Sequence, residues 1–221
     1  MQFRSHPHII HTYGLVKNDK QSLMLLQERA AVYGDLQTLL QSGDFRPSAL
    51  VLKEIFLQII DAMIYIAKED IVHGDLRCAN VLVFEMDRLQ PKRNFVKLTN
   101  FSLARTKNHS SAKYRLPDSQ VRYSAPELLA NKDGSNYSEF SDVYSMGMLM
   151  YESCSRGEVP YGRGTSDDVI RRQKLTHQNL TKPKECHGEI WNVVEGCFYT
   201  EPRLRWTFEE LQIRFNQVNI P

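Results

Sequence analysis

The stretch Ile71-Val72-His73-Gly74-Asp75-Leu76-Arg77-Cys78-Ala79-Asn80-Val81-Leu82 decides the reading of this chain. It sets an Asp and an Asn five residues apart in a short polar turn between two apolar runs. Such a pair suits phosphoryl transfer, which asks for positioning more than for covalent chemistry. One carboxylate can orient an attacking hydroxyl while one amide oxygen helps to hold a divalent cation. An isolated Asp in a turn is an ordinary cap, so the weight of the reading falls on the segments downstream.

The strand-like Val96-Lys97-Leu98 precedes Asn100-Phe101-Ser102, and a polar stretch through Pro117 leads to Val121-Arg122-Tyr123-Ser124-Ala125-Pro126-Glu127. Then come Ser141-Asp142-Val143-Tyr144-Ser145-Met146-Gly147 and, towards the end, Cys197-Phe198, Pro202 and Arg205-Trp206-Thr207-Phe208. In this order the segments resemble the protein kinase family. The first is similar to H-R-D-L-x-x-x-N and departs from it at Gly74. The others are similar to D-F-G, A-P-E, S-D-V-W-S-F-G and C-W-x-x-x-P-x-x-R-P-T-F. Arg77 gives the D-L-R-x-A-N form of one branch of tyrosine kinases, and Glu158-Val159-Pro160-Tyr161-Gly162 resembles their V-P-Y-x-G segment. The resemblance spans Ile71 to Leu211. It implies an α+β protein kinase-like fold, ATP and Mg²⁺ as cofactors, and a protein substrate or a regulatory protein partner.

Bulk properties narrow the class. The chain has 221 residues, 42% hydrophobic and 24% charged, with a net charge of +2. It carries no Lys/Arg block that would favour nucleic acid and no apolar run long enough to span a bilayer. The expected setting is the cytoplasm, or the cytoplasmic part of a larger protein. Cys78, Cys154, Cys186 and Cys197 show neither CxxC pairing nor His-paired metal spacing, so reduced thiols are expected.

Periodicity predicts strands over Ile9 to Val16 and Leu23 to Gln27, then a short helix through Leu36, Leu39 and Leu40. Further helices are predicted from about Ser48 to Lys68, Tyr144 to Ser153, Trp191 to Tyr199 and Phe208 to Val218. His6-Pro7-His8-Ile9-Ile10 resembles the family's H-P-N-I-I segment. The glycine-rich loop, Lys and Glu of the family's amino-terminal lobe would then lie upstream of Met1. The chain is expected to be a fragment, with residues 1–30 a remnant of that lobe and hinge and residues 31–221 the helical carboxy-terminal lobe. Two such strands alone leave an unpaired edge and an uncovered apolar face.

The resemblance assigns Asp75 as catalytic base, Arg77 as its neighbour in catalysis, and Asn80 as catalytic residue and Mg²⁺ ligand. Asn100 occupies the other metal position. Gln27 guards the back pocket, Glu28 and Ala30 meet adenine, and Leu82 is the apolar floor beneath it. Tyr114, beside Lys113 and Arg115, is the activation-loop phosphosite. His73, Phe101, Glu127, Asp142 and Arg205 are structural, with Asp142 bonding the catalytic-loop backbone and Glu127 pairing with Arg205.

Three departures bear on activity. Asn100 replaces a carboxylate by a neutral amide where hard cations prefer charged oxygen, and losing one unit charge beside a divalent ion costs on the order of several kcal/mol. Expressed on the transition state, that is a rate loss of roughly a thousandfold or more, although an Asn there can equally serve as a turn cap. Ser102 removes a glycine pivot. Gly74 removes the Arg that pairs with a phosphorylated activation loop in the family. A pseudokinase acting as a binding or regulatory scaffold is therefore the alternative to an enzyme.

Overall fold

The computed structural model describes residues 5–17, 19, 22–29, 33–106, 120–130, 136–178 and 180–220. Ala30 and Tyr114 lie outside them. Strands β1 (Thr12–Lys17) and β2 (Leu23–Gln27) pair antiparallel, with a bulge between Thr12 and Gly14. They are followed by α1 (Leu36–Gln41) and the long α2 (Ala49–Lys68), started by the Ser48 side chain accepting from the Val51 N–H. Short strands β3 (Ile71–Val72), β4 (Val81–Glu85), β5 (Phe95–Leu98) and β6 (Arg105–Thr106) come next. They pair as β3–β6 and β4–β5, both antiparallel. The remaining helices are α3 (Pro126–Ala130), α4 (Glu139–Cys154), α5 (Asp167–Leu175), α6 (Gly188–Glu195) and α7 (Phe208–Gln217). The architecture is the expected kinase-like α+β arrangement, with the helical part dominant.

The core forms where the apolar stripe of α2 meets α7 and β5. Leu52, Ile55, Phe56, Ile59, Ile60 and Met63 are all buried, and Phe56 meets Phe215 edge-on with ring centroids 5.8 Å apart. Helix α4 is buried on nearly every side, polar residues included, and runs beneath the loop that follows β3. All four cysteines are buried free thiols.

The elements differ from the periodicity reading in several places, and α4 begins at Glu139 rather than Tyr144. The first strand begins at Thr12 because Ile9 and Ile10 leave the hairpin for the body. There the Ile10 N–H donates to the Leu98 carbonyl (2.9 Å) and the Leu98 N–H to the His8 carbonyl (2.9 Å). Helix α6 ends at Glu195, short of Tyr199, with Gly196 as its C-cap packed against the Trp206 indole. Helix α5 is masked in the sequence by its polarity, having Ile170 and Lys174 as its buried residues.

The hairpin exposes Tyr13, Leu15, Leu23, Met24, Leu25 and Leu26, so neither face is covered by described residues. The helical body is closed instead by a bidentate ion pair. The Arg205 guanidinium, fully buried, donates to both Glu127 carboxylate oxygens at 2.7 Å and to the Phe140 carbonyl at 2.8 Å. Arg205→Ala leaves the Glu127 carboxylate without its cation and should cost about 3–5 kcal/mol. Urea unfolding of the two proteins measures that difference.

Candidate active site

The site is built on a loop that one helix holds from below. Between β3 and β4 the chain must reverse while leaving its backbone N–H groups without sheet partners. The buried Asp142 carboxylate of α4 takes two of them, the His73 N–H at 2.7 Å and the Gly74 N–H at 2.9 Å. Burial pushes the Asp142 carboxyl up to about 7, against the pull of those two N–H groups. Gly74 adopts φ +77°, and a Cβ there would come 3.1 Å from the Leu103 carbonyl oxygen. Glycine removes both the steric strain and the side chain of the family's Arg.

His73 is fully buried and uses both ring nitrogens. Nε2 donates to the Thr99 carbonyl (3.1 Å), while Nδ1 accepts from the Asp75 N–H (3.2 Å). That pattern requires the neutral imidazole, and burial lowers its pKa to about 4. The ring also rests on Phe101, centroids 4.8 Å apart.

Asp75, Asn80 and Asn100 come together in one polar cluster. The Asn80 amide Nδ2 donates to Asp75 Oδ2 at 2.8 Å and to the Asp75 carbonyl at 2.7 Å. Asn100 Nδ2 donates to Asp75 Oδ2 (3.2 Å) and to Asn80 Oδ1 (3.1 Å), and its own Oδ1 accepts from the Ser102 hydroxyl (2.7 Å). Asn100 has a left-handed backbone, φ 63° and ψ 65°, which Asn tolerates better than most residues. Arg77 Nε lies 3.3 Å from Asp75 Oδ1, within ion-pair reach but without hydrogen-bond geometry. Burial raises the Asp75 pKa, opposed by Arg77, Asn80 and Gln120.

A second carboxylate of α4, Glu152, ties the turn of residues 78–80 to the rest. One oxygen takes the Cys78 N–H (3.0 Å); the other takes the Tyr123 hydroxyl (3.0 Å) and the Gln37 amide. Its lone charge among Leu149, Met150, Ser153 and Cys154 is a sequence signal that the motif reading passes over. The Asn100–Ser102 contact carries no comparable signal.

The residues assigned to adenine are less closely assembled. Gln27 lines a cavity of about 860 Å³ together with Ile9, Leu25, Lys97, Asn100 and Phe101. Leu82 is half-buried on β4, paired with Lys97 in the ladder, and does not line that cavity. The Glu28 carboxylate accepts from the Lys97 ammonium (2.6 Å) and the His11 N–H (2.7 Å), while its own N–H donates to the His11 carbonyl (3.0 Å). These contacts hold its pKa below the usual carboxylate range despite the opposing effect of burial.

Comparison with known proteins agrees with the motif order. Residues 1–215 match the family described as protein tyrosine and serine/threonine kinase. The chain belongs to that family. This kinase chain is similar to the human tyrosine-protein kinase FRK, 28% identical over 215 residues that cover 94% of the chain and 39% of that protein. It is also similar to the human ephrin type-A receptor 5, 29% identical over 210 residues covering 93% of the chain and 19% of the receptor. The human proto-oncogene tyrosine-protein kinase ROS is 29% identical over 216 residues, 94% of the chain and 9% of that protein. These relatives place the chain in the tyrosine branch, and it spans two fifths or less of their length.

The neutral His73 gives the kinase chain a defined response to acid. Its folded pKa of about 4 lies below the ordinary 6.5, so between those values the unfolded chain binds a proton that the folded chain does not. The His73 contribution is therefore complete above pH 6.5 and falls as pH drops towards 4, by about 3 kcal/mol in all. Asp142 acts with the opposite sign over a similar window, which makes the His73→Leu difference the proper readout. Denaturant unfolding between pH 7 and pH 4 should show the stability gap between wild type and His73→Leu shrinking with acid.

Proposed function

We propose that this chain is a tyrosine-branch kinase domain whose phosphoryl transfer is impaired and which acts by binding a regulatory protein partner. One observation carries the reading: the Asn100 amide bridges Asp75 and Asn80 with its N–H groups while Ser102 occupies its oxygen. The cluster is satisfied by its own hydrogen bonds. Mg²⁺ needs several oxygen ligands, preferably anionic. Here Asn80 Oδ1 and Asn100 Oδ1 are neutral and already accept protein donors. The set as arranged does not fit the cation. Around Gln27 and Glu28 the cavity is lined by apolar residues together with His6, His11, Thr99 and Asn100, and its one ammonium among the described residues, Lys97, is paired with Glu28. Among the described residues, that set offers a triphosphate no unpaired ammonium.

Within this reading residues 1–30 are a remnant of the smaller lobe and hinge, and residues 31–221 are the helical lobe. The backbone bonds to the body come from His8 and Ile10, ahead of the β1–β2 hairpin. The setting proposed is cytoplasmic, or the cytoplasmic part of a larger protein; no described helix is long and apolar enough to cross a membrane. The second reading is an active tyrosine kinase that uses ATP and Mg²⁺. It is favoured by Asp75 and Asn80 standing 2.8 Å apart with Arg77 alongside.

Asn100→Asp separates the two readings. A carboxylate at that place faces Asp75 Oδ2 across about the 3.2 Å that the amide now bridges, so it repels Asp75 unless a cation intervenes. The variant should melt several degrees below wild type in EDTA and recover when MgCl₂ is added, while the wild-type melting temperature ignores Mg²⁺. Wild-type transfer of phosphate from ATP to a tyrosine peptide at a rate equal to that of Asn100→Asp sinks the impaired reading.

A further inference from the structure

We propose that a second cavity, formed by α6, the turn after it and Leu180, binds a quaternary ammonium group. It holds about 250 Å³ and is lined by Leu180, Trp191, Glu195, Phe198, Tyr199 and Thr200. None of these residues lines the cavity of Gln27. Aromatic rings supply three of the six lining residues, and Glu195 is the one charged group among them.

The lining follows from α6 and its exit. Trp191 and Glu195 stand four residues apart on one face of the helix, and the indole N–H donates to the Glu195 carboxylate at 2.7 Å. The chain then turns at Gly196 and brings Phe198, Tyr199 and Thr200 beside them. The Trp191 and Phe198 rings are inclined at 55° with centroids 6.3 Å apart, so they form a corner rather than a stack. Further rings hold both: Tyr144 meets Phe198 at 5.4 Å, and Tyr151 meets Trp191 at 6.4 Å. The buried Arg205 guanidinium fixes the outer wall by donating to the Tyr199 carbonyl (2.7 Å) and the Thr200 carbonyl (3.3 Å). The Thr200 hydroxyl bonds His177 Nδ1 (2.8 Å). Walls fixed in this way lower the ordering cost of binding.

Charge and size select the ligand. One oxygen of Glu195 accepts from the indole, and among the described residues no cation pairs with the carboxylate. An anion is repelled there, and a divalent metal ion would find too few oxygen ligands. A volume below the roughly 300–1,000 Å³ of drug-sized pockets suits one compact group. A primary ammonium brings three N–H donors that each need an acceptor, while the Thr200 hydroxyl is already engaged with His177. A quaternary ammonium brings none. Its methyl groups pack against aromatic rings, whose electrons attract the charge together with the carboxylate. This assignment is independent of whether the Asp75 site transfers phosphate.

That chemistry is carried both by free cations such as choline and by trimethyl-lysine side chains of proteins, and the test has an arm for each. The whole chain is titrated with choline chloride and, separately, with a trimethyl-lysine peptide, and the indole N–H resonance of Trp191 is followed. Trp206, whose indole N–H donates to the Val193 carbonyl and which does not line the cavity, is the internal reference. Trp191 should shift saturably with at least one probe while Trp206 stays in place, and the tighter probe identifies the source. Dimethylbutanol, the uncharged isostere of choline, and the unmethylated peptide should each bind about tenfold more weakly than the cation they mimic. Glu195→Gln and Tyr199→Ala, both at exposed positions, should each weaken the tighter probe by about fivefold or more. A Trp191 resonance that moves with neither probe, or no further than that of Trp206, overturns the inference. So does equal affinity for the uncharged isostere or the unmethylated peptide, or unchanged affinity in either variant.

Discussion

Two carboxylates projecting from a single buried helix organise this molecule. Asp142 and Glu152 lie ten positions apart on α4, and each presents oxygen to backbone N–H groups of the loop between β3 and β4. A loop of that kind satisfies only some of its own donors, and unsatisfied buried N–H groups cost about as much as a lost hydrogen bond. The helix therefore determines the loop conformation, and the loop determines where Asp75 and Asn80 stand. The Glu127–Arg205 pair and the Lys174 ammonium, which donates to the Ser124 carbonyl, extend the same logic outwards, fixing a segment by charged groups that bond to main chain or to each other.

Above that rigid base, Asn100 and Ser102 behave as a pair rather than as two separate losses. Replacing a carboxylate by an amide beside Asp75 exchanges a repulsive neighbour for a donating one. The Ser102 hydroxyl then occupies the amide oxygen, which settles which end of Asn100 faces the cluster. The backbone takes part as well, since Asn accepts the left-handed conformation at this point with little strain. The result is a polar cluster that is internally complete.

The loop between β3 and β4, its companion motifs in order and the main helices are legible in the sequence, because those depend on residue type at fixed spacing. Asp142 and Arg205 are readable for that reason. The Asn100–Ser102 bond is not, because two departures from a pattern reveal a mutual contact only once χ angles place them. Lys174 is hidden differently. In Asp167–Leu175 it looks like one more solvated charge, and its burial depends on Val121, Leu129 and Ile170 assembling a small cluster from distant parts of the chain. The hairpin boundary escapes a pattern reading since Ile9 and Ile10 fit a strand equally well, and tertiary pairing with Leu98 decides against it.

The placement of the thiols gives this chain a built-in chemical footprint. Cys78 sits in the loop between β3 and β4, Cys154 at the end of α4, Cys186 before α6 and Cys197 after it, all buried. Burial pushes the Cys78 and Cys197 thiols up, which suppresses the reactive thiolate as long as the fold stays shut. An alkylating reagent can therefore mark the Cys78 and Cys197 regions only when they open. The order in which Cys78 and Cys197 are labelled would show whether the loop or the helical base opens first, without any engineered probe.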